Sequence, residues 1–130
     1  MAVLIDTSVL VEAERRGLAL DRKIGDQDRA ISVITASELL HGVHRARTSA
    51  TRARRAAFVE HLISTIEPLP VTTATARAHA EIWTELKDQG NLIGPHDLWI
   101  AATALSHGMD VATANTRDFE RVPGLSVVPV

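Results

Sequence analysis

The sequence predicts an α/β fold in which helices cover a mainly parallel sheet of four to five short strands. Short apolar runs rich in Val and Ile alternate along the chain with longer segments of helical periodicity. These runs lack the polar alternation of a half-exposed sheet, which indicates strands buried on both faces, as parallel strands usually are. The 130 residues are expected to form one domain, over residues 1–130.

The first half of the chain contains two predicted strand-to-helix units. A buried strand over residues 2–5 leads into a helix that ends at Gly17, and residues 18–28 are expected to hold a short helix and a loop. A second buried strand over residues 30–34 passes into a helix over residues 39–47. Both units place an acidic residue near the junction of strand and helix.

The second half continues this alternation, with prolines and glycines between the elements. Its predicted elements are an amphipathic helix over residues 49–63, a short extended piece over residues 66–71, helices over residues 72–89 and 97–107, and strands over residues 111–114 and 125–128. Trp83 and Trp99 fall on the two later helices, where we expect them to pack in the core.

The composition excludes several classes of protein. No apolar run approaches the roughly 20 residues of a membrane helix, and residues 1–10 lack the basic leader of a secretory signal, so a cytoplasmic protein is expected. The absence of cysteine excludes disulfides, thiolate zinc sites and cysteine nucleophiles. A net charge of -2 gives no overall attraction for nucleic acid, so any binding of phosphate must be local.

The basic residues are mostly arginine and are unevenly distributed. Only Lys23 and Lys87 among the 14 basic residues are lysine. Five of the arginines lie close together in the sequence, at Arg45, Arg47, Arg52, Arg54 and Arg55. Because the planar guanidinium group can donate two parallel hydrogen bonds to phosphate, this cluster is a candidate for holding a nucleic-acid backbone. A solvated helix face is the alternative interpretation.

Four acidic residues are candidates for one site at an edge of the sheet. Asp6 and Glu38 follow the first two strands and Asp118 follows a later one, and the carboxyl ends of parallel strands gather in one crevice. Asp97 joins them if its helix directs the amino end at that crevice. Each residue could instead serve its own helix: Asp6 as an N-cap, Glu38 in a capping box with Thr35, and Asp97 at the positive end of the helix dipole.

Taken together, these carboxylates predict a metal site. Like charges about 4 Å apart repel by roughly 4 kcal/mol at an effective dielectric constant near 20, and a divalent cation removes that repulsion. Oxygen ligands without cysteine or a clear histidine set favour Mg²⁺ or Mn²⁺ over zinc, and such a site can activate water for hydrolysis of a phosphodiester bond. Thr7, Ser8 and Thr113 are placed to orient the carboxylates or a water, with helix capping as an equal alternative. His96 is expected to be a helix cap or surface residue rather than a substrate contact.

Four sequence motifs follow one another along nearly the whole chain. They are V-L-I-D-T-S-V-L at residues 3–10, I-T-A-S-E-L-L-H-G-V at residues 34–43, H-D-L-W-I-A-A-T-A-L at residues 96–105 and A-T-A-N-T-R-D-F at residues 112–119. In this order and spacing they resemble the PIN-domain ribonucleases and, within that family, the VapC toxins of bacterial toxin-antitoxin pairs. The resemblance implies a PIN-like α/β/α sandwich, often a homodimer, that cleaves RNA at a Mg²⁺ or Mn²⁺ site.

Carried onto this sequence, the resemblance implies that Asp6, Glu38 and Asp97 bind metal and take part in catalysis. The fourth position departs from the family, because many relatives have an acidic residue where this chain has Asn115, and Asp118 follows in a shared T-R-D-F ending. One well-bound ion is therefore expected, with Asn115 or Asp118 helping to hold a second when substrate phosphate is present. In this interpretation the arginine cluster binds the RNA backbone.

The resemblance also implies partners. A VapB-like antitoxin is expected to occupy the groove and insert a basic side chain among the carboxylates, and tRNA or rRNA is the expected substrate. A phosphatase or receiver-like domain with Asp6 as nucleophile or phosphoacceptor is an alternative, but Ser8 stands where a haloacid-dehalogenase-type phosphatase needs a second Asp. A non-catalytic protein of the same fold that binds RNA or a partner is the other alternative, and the uncharged Asn115 favours it.

Overall fold

The computed structural model describes residues 2–17, 24–25 and 27–130. Within these ranges the sheet has four strands, all parallel, in the order β2-β1-β3-β4. The strands are β1 (Ala2–Ile5), β2 (Asp28–Ala30), β3 (Asp110–Thr113) and β4 (Val127–Pro129). The predicted α/β class with a mainly parallel sheet is therefore confirmed. The short helix predicted within residues 18–28 lies largely outside the described residues.

Helices follow or precede each strand. In the described ranges they are α1 (Thr7–Arg16), α2 (Val33–His44), α3 (Ser49–Thr65), α4 (Thr73–Asp88), α5 (Pro95–His107) and α6 (Thr116–Phe119). The most extensive helix contacts are those of α4 with α5 and of α2 with α3. None of the helices described here has both the length and the apolar character needed to cross a membrane.

The sheet is covered by apolar side chains on both faces. On one face Leu4 belongs to the same core cluster as Ile100 and Phe119. The next residue of β1, Ile5, belongs to a second cluster that includes Leu39 on α2. Successive side chains of a strand point to opposite faces, so the four-residue β1 contributes to both cores and is buried on both sides. This arrangement is the α/β/α sandwich that the resemblance to PIN-domain ribonucleases implies.

The second strand and its helix begin earlier than predicted. The strand spans Asp28–Ala30 instead of residues 30–34, and α2 begins at Val33 because the Ser32 side chain accepts a hydrogen bond from the Thr35 amide at 3.0 Å. Ser32 is therefore the N-cap of α2. The predicted capping box formed by Thr35 and Glu38 is wrong, and Glu38 lies inside the helix.

The extended piece at residues 66–71 does not form a fifth strand. Within the described residues its ladder contact is one parallel bridge between Leu69 and Ser32. Pro68 and Pro70 have no N–H group, so the segment cannot continue the ladder on either side of Leu69. The strands predicted over residues 111–114 and 125–128 are present, as β3 and β4, with shifted ends.

The two tryptophans differ in burial. Trp99 stacks face to face on the His79 ring, with ring centroids 3.6 Å apart, and burial lowers the pKa of His79. Trp83 is 49% exposed, so its predicted place in the core is wrong. The buried side of α4 carries Ile82 and Leu86. Because successive residues of a helix are about 100° apart, Trp83 turns away from that side.

Candidate active site

An open cavity of about 720 Å³ lies beside the carboxyl ends of β1 and β3. Three of the predicted carboxylates, Asp6, Glu38 and Asp97, line this cavity together with Asn115. The fourth carboxylate, Asp118, is not among the lining residues. The structure thus brings together residues from β1, α2, α5 and the β3–α6 connection that are far apart in the sequence.

The position of Asp6 is fixed by two hydroxyl groups. Asp6 directly follows β1 and is 3% exposed. Ser8 Oγ and Thr113 Oγ1 both donate to its Oδ2 atom, at 2.7 and 2.8 Å. Asp6 is the N-cap residue of α1, as the capping interpretation predicts, but its side chain makes no capping hydrogen bond to the helix. Its Oδ1 atom has no hydrogen-bond partner among the described residues and remains available to a ligand.

Glu38 is held from two directions. Thr7 Oγ1 donates to Glu38 Oε1 at 2.8 Å, and the same hydroxyl lies 3.0 Å from Thr35 Oγ1. On the other side, His96 Nδ1 lies 3.4 Å from Glu38 Oε2. Thr35 is completely buried behind the site, a position that no local sequence pattern indicated. Thr7 is therefore beside a carboxylate, as predicted, and the exposed His96 contacts the site as well.

Asn115 and Asp118 form a pair in which only Asn115 reaches the cavity. The side-chain Nδ2 of Asn115 donates to Asp118 Oδ2 at 3.1 Å, and the main-chain N–H of Asn115 donates to Thr113 Oγ1 at 2.8 Å. A carboxylate can only accept, so the NH₂ group of Asn115 must face Asp118 and its carbonyl oxygen is left for other partners. The pair therefore offers the cavity a neutral oxygen from Asn115, with Asp118 behind it.

Asp97 lies at the start of α5, where Gly94 is the N-cap and Pro95 occupies the first turn. The pKa of Asp97 is raised to about 6, first by burial and then by the negative charges of Asp6, Glu38 and Asp118. His96 acts in the opposite direction and lowers this pKa. Burial is thus the main reason that Asp97 resists ionisation, and the three neighbouring carboxylates add to it.

We expect Asp97→Asn to stabilise the metal-free protein at pH 7. The carboxyl has a folded pKa of about 6 against 3.8 for an unperturbed group, so its charge opposes folding above about pH 6 and has no effect below about pH 4. The full shift corresponds to about 3 kcal/mol, which solvent screening of this partly exposed group reduces to about 1–2 kcal/mol. Chemical denaturation of both proteins in EDTA should therefore show a gain at pH 7 that disappears at pH 4. An equal difference at both pH values would contradict the electrostatic explanation.

The residues at this cavity fit a hard cation held by oxygen atoms. In the described part of the chain, no group of three or more Asp, Glu or His side chains is already closed around one point. Mg²⁺ and Mn²⁺ prefer negatively charged and neutral oxygen donors. The cavity nevertheless offers both kinds, in the carboxylate of Asp97, the unpaired Oδ1 of Asp6 and the carbonyl of Asn115. The site is thus a set of oriented donors that line one cavity and not a preformed cage.

The arginines divide into groups that the sequence did not distinguish. Arg52 and Arg55 donate to the main-chain carbonyls of Ala46 and Gly42, at 3.0 and 2.9 Å. Arg54 pairs with Glu14 on α1 at 3.1 Å. Two arginines missed by the sequence analysis, Arg15 and Arg16, line the acidic cavity from the last turn of α1. The sequence does contain a signal for these two arginines, because they lie in the last turn of the helix that begins directly after Asp6.

Comparison with known proteins agrees with this geometry. The PIN domain family matches residues 3–125. Ribonuclease VapC1 of Rickettsia felis is 36% identical over 130 residues, which cover 100% of this chain and 97% of that protein. Ribonuclease VapC5 of Mycobacterium tuberculosis is 36% identical over 129 residues, which cover 99% of this chain and 93% of that protein. The tRNA(fMet)-specific endonuclease VapC of Salmonella typhimurium is 41% identical over 97 residues, covering 75% and 71%.

Solved structures have the same fold over the same length. The DNA-bound VapBC structure from Salmonella typhimurium matches with a TM-score of 0.88 and 31% identity, covering 99% of this chain and 98% of that one. The VapBC-5 structure from Mycobacterium tuberculosis matches with a TM-score of 0.80 and 34% identity, covering 99% and 97%. The chain belongs to the PIN-domain family and, within it, to the VapC group.

Proposed function

We propose that this protein is a metal-dependent endoribonuclease toxin that hydrolyses phosphodiester bonds in RNA and thereby inhibits translation and growth. The observation that carries the proposal is the convergence of Asp6, Glu38 and Asp97 on one cavity, with a pKa of about 6 at Asp97. The relatives named ribonuclease and tRNA(fMet)-specific endonuclease support the reaction, and tRNA is the substrate class that we favour.

Asp6, Glu38, Asp97 and the carbonyl of Asn115 would hold Mg²⁺ or Mn²⁺. When bound, the ion supplies Lewis-acid activation of water and neutralises charge on the phosphate. Asp118 has an indirect part in this proposal, since it fixes the orientation of Asn115 from behind. Fewer negative charges then reach the cavity than in a site with four carboxylates, which favours one ion over two.

The neighbouring hydroxyls hold the carboxylates in place for this reaction. Ser8 and Thr113 share one oxygen of Asp6, and Thr7 holds one oxygen of Glu38. Each hydrogen bond leaves the second carboxylate oxygen free of these hydroxyls. Groups that fix the orientation of ligands in this way typically contribute 10–100-fold to activity or metal affinity.

Asn115→Asp is expected to increase the stabilisation that Mn²⁺ gives to the fold. The new carboxylate would lie against Asp118, in place of a hydrogen bond of 3.1 Å, so the metal-free variant should be less stable by about 1–2 kcal/mol. Added negative charge also strengthens cation binding, and a ligand stabilises the state that binds it. Thermal unfolding with and without Mn²⁺ measures both effects.

Asn115→Ala serves as the opposite control for that measurement, because it removes the carbonyl oxygen without adding charge. Its metal-induced shift in Tm should be smaller than that of the unmodified protein. If both variants show the same metal-induced shift in Tm as the unmodified protein, Asn115 is not a ligand of the metal.

The proposed partners follow from the relatives. The matching structures are VapBC complexes, which supports a VapB-like antitoxin as the partner of this chain. We further propose a cytoplasmic homodimer in which residues 1–130 form one domain. The antitoxin would cover the acidic cavity and place a basic side chain among the carboxylates.

A non-catalytic protein that binds RNA or a partner is the second candidate, because Asn115 brings no charge to the fourth position. Induced expression in bacteria separates the two. For a toxin, growth should stop, and sequencing of RNA 5′ ends should reveal new discrete ends that are missing when Asp97→Asn is expressed at the same level. Growth arrest by both forms, without new RNA ends, would favour binding without cleavage.

A further inference from the structure

The hydroxyl groups that hold Asp6 donate in a fixed direction. Ser8 Oγ accepts the main-chain N–H of Ala114 at 3.2 Å. Thr113 Oγ1 accepts the main-chain N–H of Asn115 at 2.8 Å. The contact between the two hydroxyls themselves is long, at 3.4 Å. Each hydroxyl therefore accepts from the backbone on one side and donates its single hydrogen on the other side, to Asp6 Oδ2.

The hydroxyl that holds Glu38 has a choice of acceptor. Thr7 Oγ1 is the donor in two contacts, to Glu38 Oε1 at 2.8 Å and to Thr35 Oγ1 at 3.0 Å. A threonine hydroxyl carries one hydrogen, so a full hydrogen bond to one of these acceptors excludes the other. A charged carboxylate is the stronger acceptor. The hydrogen therefore lies toward Glu38 as long as nothing else neutralises the charge of that carboxylate.

Thr35 can receive this hydrogen or give it up without becoming unsatisfied. It is completely buried, and its hydroxyl oxygen also accepts from Ser32 Oγ at 3.3 Å. Ser32 is itself fixed as the N-cap of α2, since its oxygen accepts the Thr35 main-chain N–H at 3.0 Å. A buried hydroxyl without a partner destabilises a protein, and Ser32 prevents this when Thr7 donates to Glu38. The transfer of the Thr7 hydrogen bond between the two acceptors therefore costs little.

Glu38 is the carboxylate of the site that is best able to move. About 29% of its side chain is exposed, whereas Asp6 is 3% exposed. Both Glu38 oxygens have partners, Oε1 in Thr7 and Oε2 in His96 at 3.4 Å. In the part of the chain that the structure describes, no three acidic or histidine side chains are already closed around one point. A cation held by Asp6, Glu38 and Asp97 therefore requires a shift, and Glu38 is the ligand whose hydrogen bond has an alternative.

We propose that Thr35 is a positioning residue for metal binding, which takes over the Thr7 hydrogen bond when Glu38 turns towards the cation. A carboxylate whose charge is shared with a cation is a weaker acceptor, so the neutral Thr35 hydroxyl then competes for the hydrogen. Asp6 is the fixed ligand of the site and Glu38 is the adjustable one. The inference rests on the proposed metal-dependent function, and it adds a residue that touches neither the metal nor the RNA.

The affinity of the full chain for Mn²⁺ in the absence of RNA tests this proposal. It is measured by titration from the electron paramagnetic resonance signal of free Mn²⁺. Thr35→Val keeps nearly the same shape but offers no acceptor, so Thr7 stays on Glu38 and Mn²⁺ should bind about 10-fold more weakly. Thr35→Ser keeps the acceptor and should bind Mn²⁺ with nearly the affinity of the unmodified protein.

Ser32→Ala is the control for a loss of stability. It removes the N-cap hydrogen bond of α2 and the donor to Thr35, so its Tm should fall, as the Tm of Thr35→Val should. The Thr35 hydroxyl remains in place as the alternative acceptor, so the Mn²⁺ affinity of Ser32→Ala should stay close to that of the unmodified protein. Equal losses of affinity in Ser32→Ala and Thr35→Val would show that Thr35 acts only through the stability of the fold.

A double-mutant cycle with Thr7→Val shows whether Thr35 acts through Thr7. In the Thr7→Val protein there is no hydrogen to transfer, so adding Thr35→Val should leave the Mn²⁺ affinity nearly unchanged. A further loss of about 10-fold in that protein would overturn the proposal. Normal Mn²⁺ binding by the single variant Thr35→Val would refute the positioning role alone. Absence of Mn²⁺ binding by the unmodified protein would instead refute the proposed metal site, and this inference with it.

Discussion

Replacement of Asp97 by Asn is expected to lower RNA cleavage by on the order of 1,000-fold and to leave the fold intact. Asp97 lines the cavity with Asp6 and Glu38, and burial together with the negative charges of its neighbours raises its pKa to about 6. Loss of one carboxylate from such a set removes about 4 kcal/mol of transition-state stabilisation. Initial rates on a defined RNA, with both proteins at the same concentration and in the same metal, provide the measurement.

The matched control for Asp97 is Asp88→Asn, an exposed aspartate at the end of α4 that does not line the cavity. This control should cleave at the rate of the unmodified protein. The stability gain expected for Asp97→Asn in EDTA makes the test stronger, because lost activity cannot then be attributed to unfolding. Cleavage retained by Asp97→Asn would exclude Asp97 from the mechanism.

Thr113→Val is expected to have the largest effect among the residues that support the site. Thr113 is completely buried at the end of β3, and its hydroxyl donates to Asp6 and accepts from the Asn115 amide, both at 2.8 Å. Val has nearly the same shape but no hydroxyl, so one hydrogen bond to a charged group and one to the main chain are lost. We expect the free energy of unfolding to fall by about 2–4 kcal/mol and cleavage by about 10–100-fold.

Thr113→Ser separates the hydroxyl from the methyl group in that experiment. It keeps both hydrogen bonds and loses one methyl, which costs about 1 kcal/mol in a packed core. Activity should therefore be nearly normal in Thr113→Ser and low in Thr113→Val. Similar activity in the two variants would mean that the orientation of Asp6 does not depend on Thr113.

The parts of this site that could be predicted from the sequence are those set by local pattern. Asp6 follows a short apolar run directly, so a buried parallel strand fixes it at the carboxyl edge of the sheet. Asp97 is close behind Pro95 at a helix start, which fixes its place on α5. Glu38 was assigned to the right edge because it was expected to follow the second strand directly, but that strand ends at Ala30 and Glu38 lies inside α2, which Ser32 caps.

The other parts depend on contacts between distant segments. Asn115 lines the cavity and Asp118 lies behind it. This arrangement requires the short helix α6, which brings the Asp118 carboxylate against the side-chain NH₂ group of Asn115. The hydroxyl of Thr35 contacts the hydroxyl of Thr7, which is 28 positions away in the sequence. The sorting of the arginines into bound and free groups likewise depends on how α3 packs on α1 and α2. No local pattern contains this information.

The most direct test of metal-dependent RNA cleavage at the carboxylates uses purified protein without antitoxin. It is incubated with total bacterial RNA in Mg²⁺, in Mn²⁺ and in EDTA, beside the Asp97→Asn variant, and the fragment ends are mapped. We expect discrete cuts with 5′-phosphate and 3′-hydroxyl ends that require metal and that Asp97→Asn does not make. Folded protein that cuts nothing in either metal, or that cuts equally well in EDTA, would contradict the account.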